Sequence, residues 1–442
     1  MATDHLSPLD LAFWRMESAG HPMHLGALAV FRPAPGTARS AAAHAAELLT
    51  ARCAAVPGLR RRIRDVLLPL GAAAWSPDPG FDPARHVVLS RTAAGPHEAA
   101  GPLMARPLDH GRPPWEAHVL SGPDPDSFAV LFKFHHALAD GLGALALAAA
   151  LFDEGQELRA PARPVPEQRA GSGLGRIPAA LATRVQEVGQ ALEIGAAVAR
   201  SGLPFGIPAA LTADPAAAGS RAVAGLTLDL DEVNLIRKGA GGTVNDVLIA
   251  LVAGGLRRWL AGRGDPEPLG AGPRALIPVS RRRGPGGAGD ARNRLSGYLL
   301  RLPLGEPDPL RRLDRVRTAM DRNKDAGPAR GAGAVALLAD HVHPLGHRLG
   351  GPLVAQAARL LFDILVTSVP LPGLTFSLGG SRVHEVYPLA PLARGQSLAV
   401  AVSTYKGTVH YGLVADASAV PDLAELAGAL RAELDSLVRE LS

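Results

Sequence analysis

The sequence predicts an α+β protein of two domains, each a mixed β-sheet with covering helices. Three observations carry this. At 442 residues the chain exceeds what one core usually organises, so about two domains is the natural prior. Short strand patterns alternate with helical periods in both halves, and no short repeat period appears. After Phe152 the composition turns to Pro, Ala, Arg and Gly, which reads as a linker. The division is therefore 1–155, a linker with a helix over 156–219, and 220–442.

Composition narrows the class. Lys+Arg is 46 against Asp+Glu 41, a net charge of +5, with aromatics at 4%. That balance does not suggest nucleic-acid binding, and it leaves an anionic substrate or a membrane surface open. Cys53 is the single cysteine, so an intramolecular disulfide framework and a cysteine-rich metal site are both excluded. Cys53 itself reads as a small buried apolar residue, and a reducing cytoplasm fits. The first residues lack a basic segment followed by an apolar one, so no signal peptide is expected. The apolar run over 142–152 has roughly half the length needed to span a bilayer core.

In the first half, Ser7-Pro8-Leu9-Asp10 is a helix start: Ser7 caps, Pro8 takes the first helical position and Asp10 sits in the first turn. Leu9, Phe13 and Met16 share one side, and Gly20-His21-Pro22 stops the helix. A strand over 24–32, a helix over 38–53 and the basic run Arg60-Arg61-Arg62-Ile63-Arg64 follow, the run most simply a solvated face. Strand patterns at 73–75, 86–91 and 115–120 flank a helix over 98–105. The Pro-rich stretch from Arg106 to Pro114 is a rigid connection, and Trp115 opens a strand beside the next one, 127–134. An Ala/Leu-rich helix over 142–152 closes the half.

After a helical pattern over 179–200, the second half begins with a strand at 223–230 and a short helix at 231–238. Thr243-Val244-Asn245-Asp246 caps the strongest helix in the chain, reaching about 260. Strands at 274–280, 295–304 and 364–369 alternate with helices at 308–324, 331–339 and 353–362. Strands at 381–387, 396–403 and 408–415 and a last helix from about 421 end the chain. All of these later strands are assigned to the second domain.

The chemistry concentrates at His135-His136-x3-Asp140-Gly141, where a strand runs into a turn and a helix. Adjacent side chains of a strand point to opposite faces, so one histidine should meet a reacting group while the other supports the turn. No third imidazole or thiolate is spaced to close a metal site, so no metal is expected there. A histidine can take a hydroxyl proton near neutral pH and return it to a leaving group. Asp140 can fix the turn or cap the following helix, and Gly141 permits an unusual backbone angle. The run Asp340-His341-Val342-His343-Pro344-Leu345-Gly346-His347 looks metal-like, but Pro344 and Gly346 break any helix that would align ligands.

Together with three distant stretches, this motif resembles the bacterial wax ester synthase/diacylglycerol acyltransferases, within the superfamily of CoA-dependent acyltransferases. The stretches are Leu6-Ser7-Pro8-Leu9-Asp10 with His21-Pro22-Met23-His24-Leu25-Gly26, Pro107-Leu108-Asp109 with Arg112-Pro113-Pro114-Trp115-Glu116, and Asn245-Asp246-Val247-Leu248. The resemblance implies two chloramphenicol-acetyltransferase-like domains with an active-site tunnel at their interface. It implies His136 as general base, His135, Asp140 and Gly141 as supports, and Asn245 and Asp246 facing the channel from the second domain.

Acyl-CoA is then the substrate, no cofactor is implied, and the acceptor is a long-chain alcohol, diacylglycerol or both. Arg281, Arg282 and Arg283 are candidates for the CoA phosphates. Peripheral membrane or lipid-droplet association fits such substrates, with the protein otherwise cytoplasmic. Two alternatives stay open: a superfamily acyltransferase acting on an amine or specialised metabolite, and a silent lipid- or partner-binding member. Ser368-Val369-Pro370-Leu371-Pro372 stands where the family has Asn-Val-Pro-Gly-Pro, and Arg292-Asn293 where it has Gly-Asn. Both departures bear on acceptor choice.

Overall fold

The structure, a computed structural model, describes residues 4–34, 38–122, 124, 126–139, 141–154, 209–213, 219–264, 272–280, 295–326, 362–371 and 375–441. Asp140, the linker helix over 179–200, Arg281–Arg283, Arg292-Asn293, the helix over 331–339, all but the end of the helix over 353–362 and the run from Asp340 to His347 lie outside them.

The first half forms β1 (Asp4–His5), α1 (Pro8–Met16), β2 (His24–Arg32), α2 (Ala38–Cys53), β3 (Arg61–Asp65), β4 (Ala73–Pro77), β5 (Val87–Arg91), α3 (Pro96–Ala105), β6 (Trp115–Ser121), β7 (Phe128–His135) and α4 (Gly141–Ala149). The second forms β8 (Arg221–Asp229), α5 (Leu230–Ala240), α6 (Val244–Gly262), β9 (Arg274–Ser280), β10 (Leu295–Arg301), α7 (Pro309–Ala326), β11 (Ile364–Pro370), β12 (Ser377–Leu378), β13 (Ser381–Leu389), β14 (Leu398–Tyr405), β15 (Thr408–Asp416) and α8 (Leu423–Leu441).

Two six-stranded sheets organise the described residues, with strand orders β12-β13-β2-β7-β6-β5 and β10-β9-β11-β14-β15-β8. Both are mixed: β5 runs parallel to β6, and β11 parallel to β9 and β14, among antiparallel pairs. A small β1-β4-β3 sheet stands beside the first. β7 is buried on both faces, and its alternation divides two cores. Phe128, Phe132 and Phe134 join Phe31, Trp115 and Phe152 on one side. Ala129 and Leu131 join Leu28 and Met104 on the other, where Val223, Ala399, Ala401 and Val414 of the second sheet meet them. The two sheets therefore share a core.

One expectation is corrected here. The strand at Ser381–Leu389, assigned by sequence to the second domain, pairs antiparallel with β2 and so extends the first sheet, and β12 pairs with it. Alternation tells which residues of a strand face inward but not which sheet receives it. Close approach makes the exchange workable. Gly412 of β15 lies opposite Gly225 of β8 in register; a methyl group on Gly412 would overlap the Pro388 carbonyl, and one on Gly225 would overlap the His97 ring.

Candidate active site

β7 delivers the histidine pair. His135 lies opposite His24 of β2, and the chain then turns, with Leu138 N–H donating to the His135 carbonyl at 2.8 Å. The His136 N–H donates to the Met23 carbonyl at 2.9 Å, which fixes the turn against the start of β2. The two side chains diverge as the strand geometry requires. His135 is fully buried: its Nδ1 accepts the Ala137 N–H at 3.0 Å, leaving Nε2 to donate to Glu17 Oε2 at 2.9 Å. Both ring nitrogens are thus engaged. His136 is only half-buried and stacks on Phe13 of α1, with ring centroids 3.8 Å apart.

Glu17 caps the C-terminal end of α1, where the helix dipole disfavours a carboxylate. Its surroundings compensate. Oε2 accepts from His135 and from His110 at 2.7 Å, and Oε1 accepts the Met23 N–H at 3.3 Å. Burial by itself raises the Glu17 pKa, but the hydrogen bonds and charges of His110 and His135 outweigh it and bring it to about 2. Trp14 completes the setting, stacked on His110 at 3.9 Å and edge-on to His135 at 5.0 Å. Glu17, His110 and His135 each offer one ligand atom within 4.8 Å of the others. One carboxylate oxygen shared between two imidazoles at 2.7 and 2.9 Å is the spacing of N–H donors on an acceptor, which accounts for the cluster without an ion.

Behind the pair lies a buried polar layer. Lys133, fully buried, donates to the Arg106 carbonyl at 2.9 Å and to Glu116 Oε2 at 3.2 Å. Glu116 also meets His118 at 2.9 Å. Burial raises the Glu116 pKa, and His118 and Lys133 more than reverse this to about 2. His24 contacts the Met104 carbonyl at 3.0 Å; burial first, then the Lys133 charge, lowers its pKa to about 3.

The second half reaches the region at the turn around His21. Arg221 donates to the Gly20 carbonyl at 2.9 Å, and Arg15, Glu17, His21, Met23 and Arg394 line a cavity beside Glu17. At the start of α6, Thr243 and Asp246 form a reciprocal capping box. Thr243 is thus the cap, and half-buried Asn245 is not. Asp246 is buried, its Oδ2 accepting from Thr243 N–H and Oγ1 at 2.8 Å each. Its Oδ1 is buried without a hydrogen bond among the described residues. Gly141 opens α4.

The structure therefore joins His135 and His136 in one turn and sets Asn245 and Asp246 on a helix of the other half. Glu17, His110 and Phe13 complete the setting, and sequence reasoning assigned none of them a role. For Glu17 a signal existed: an acidic residue at a helix C-terminus is out of place unless something pairs with it.

The sequence profile of the wax ester synthase/diacylglycerol acyltransferase catalytic domain matches residues 6–248, and that of the family's C-terminal domain matches 292–438. The chain belongs to the wax ester synthase/diacylglycerol acyltransferase family. It is 30% identical to a Mycobacterium tuberculosis relative named for diacylglycerol O-acyltransferase activity, tgs1, over 98% of this chain and 96% of that one. A second relative so named, tgs2 of the same species, is 30% identical over 98% of each.

Among solved structures, the wax ester synthase/diacylglycerol acyltransferase of Marinobacter aquaeolei VT8 aligns with a TM-score of 0.71 at 21% identity, covering 99% of both chains. The TRI3 trichothecene 15-O-acetyltransferase of Fusarium sporotrichioides aligns at 0.63 and 12% identity, covering 98% of this chain and 94% of that one. These likenesses establish the shared two-domain acyltransferase fold. Family membership makes the chain an O-acyltransferase.

Proposed function

We propose that this acyltransferase esterifies a long-chain alcohol, diacylglycerol or both with the acyl group of acyl-CoA, His136 acting as general base. The observation that carries the assignment is the contrast within the pair. His135 is sealed in the interior with both nitrogens engaged, whereas the His136 ring lies half-exposed against Phe13 on a backbone clamped to Met23. In this reading His136 takes the acceptor hydroxyl proton as the oxygen attacks the thioester carbonyl. The C–S bond then breaks, and the same proton passes to the CoA thiolate, giving ester and free CoA. A thioester is already activated, so the chain of steps requires neither a covalent acyl-enzyme nor a cofactor. The substrates meet in a tunnel between the halves, with His135, Asp140 and Gly141 holding the turn. Asn245, relieved of capping by Thr243, is the candidate donor to the developing oxyanion. The protein acts in the cytoplasm, attached peripherally to lipid.

The test is an acceptor screen with palmitoyl-CoA, following released CoA with hexadecanol, diacylglycerol or water. Ester formation with at least one lipid acceptor is expected. The His136→Ala variant should lose about 10²- to 10⁴-fold in turnover while keeping its fold. Near-wild-type ester formation by that variant would remove His136 from the base role, and absence of CoA release with every acceptor would reject the activity.

A further inference from the structure

Three of the most exposed large apolar side chains in the described structure lie within four consecutive residues. Leu67, Leu68 and Leu70 are 89%, 80% and 53% exposed. They form the tip of the β3–β4 hairpin, a closed loop in which Val66 N–H donates to the Ala72 carbonyl at 3.1 Å and Ala72 N–H to the Pro69 carbonyl at 3.0 Å. Leucine exposed to this degree at a braced tip loses apolar burial with no compensation inside the protein. The flank of the hairpin is cationic. Arg60 and Arg64 are exposed and meet no carboxylate among the described residues, while their neighbours Arg61 and Arg62 pair with Asp4 and Asp78.

The finger is fixed to the active region. Arg15, on the last turn of α1, reaches Asp65 at 2.6 Å and the Gly71 carbonyl at 3.3 Å, so it grips both roots of the loop and also lines the cavity beside Glu17. Ile63 and Ala73 of the hairpin pack with Trp14 and with Ala137, the residue after His136. From this we infer that the Leu67–Leu70 tip inserts into the interfacial region of an anionic lipid bilayer, with Arg60 and Arg64 meeting lipid phosphates. The charge flanking the tip selects a bilayer over a protein groove, and a convex finger offers no concave surface for a peptide. Docking there sets the cavity wall at the lipid surface. The inference rests on the reading that the acceptor is a lipid, because only then does the position of the finger serve catalysis.

The test is sedimentation of the full chain with phosphatidylcholine vesicles, with and without a third of phosphatidylglycerol. Wild type is expected to bind the anionic vesicles more strongly. L67S/L68S/L70S should bind at least about tenfold more weakly to both, and R60Q/R64Q should lose the preference for the anionic ones. Turnover of a short-chain acyl-CoA with a water-soluble alcohol, followed in parallel without vesicles, should be unchanged in both variants. Wild type left in the supernatant with both vesicles, or a triple variant that sediments like wild type, overturns the docking site. Vesicle binding by wild type that is lost in the triple variant, in a protein that acylates no alcohol, leaves the docking site standing and removes the lipid-acceptor reading instead.

Discussion

At the scale of the residue, Glu17 does more than its place at the end of α1 suggests. It accepts from the His135 ring with one oxygen and from the Met23 N–H with the other, and the Met23 carbonyl in turn holds the His136 N–H. One carboxylate therefore positions one histidine directly and the other through a single residue. Glu17→Ala would leave a buried His135 N–H without an acceptor, costing about 1–3 kcal/mol of stability. By loosening the His136 turn it should lower kcat roughly 10- to 100-fold. Glu17→Gln, which keeps an acceptor oxygen, should fall between. Steady-state kinetics with thermal melts of both variants decide it: wild-type kcat in Glu17→Ala would leave Glu17 a purely structural cap. The motif marked the histidines from sequence, and the strand period foretold their divergence. The pairing with Glu17 spans 118 positions, which local periodicity does not reach.

At the scale of the element, most strands and helices were legible to within a few residues, because each carries its own alternation, period or cap. Ser7, Pro8 and Asp10 start α1 as read, and the Thr243–Asp246 box starts α6. β1 and β12, two residues each, have no pattern of their own and exist by pairing with β4 and β13. The sheet that β13 joins was not legible either, since β2 lies some 350 positions away and either sheet satisfies its alternation. The signature of the exchange is a pair of facing glycines. Gly412→Ala should force the Pro388 backbone away and destabilise by about 1–3 kcal/mol, with activity falling because the shared core shifts. Gly428, exposed in α8 with nothing near its missing Cβ, is the control: Gly428→Ala should stabilise by about 0.5–1 kcal/mol. Equal urea midpoints for the two variants would show that the glycine seam is not tightly packed.

At the scale of the whole molecule, each sheet buries a histidine that must stay neutral. His24 in the first is lowered to about 3, by burial and then by Lys133. His410 in the second is lowered to about 4 by burial, with His384 adding and Glu385 opposing; neither of its nitrogens has a hydrogen-bond partner among the described residues. Unfolding exposes both to water, where they titrate near ~6.5. Between that value and their folded pKa values the unfolded chain binds more protons, so stability is complete above ~6.5 and declines as pH falls, by up to about 1.4 kcal/mol per pH unit for each histidine. Burial lowers His21, His86 and His97 too, in the same direction. Glu17 and Glu116, both brought to about 2, act elsewhere: their stabilisation is lost only as pH falls below the ordinary carboxylate range. The interval from ~7.5 to ~5.5 thus isolates the histidines, and across it urea denaturation should show a loss of at least about 2 kcal/mol. His410→Phe, which sets a ring beside Tyr387 without a titrating group, should recover about 1 kcal/mol of that loss. A pH-independent wild type, or a variant with the wild-type slope, would mean that water reaches these imidazoles in the folded state.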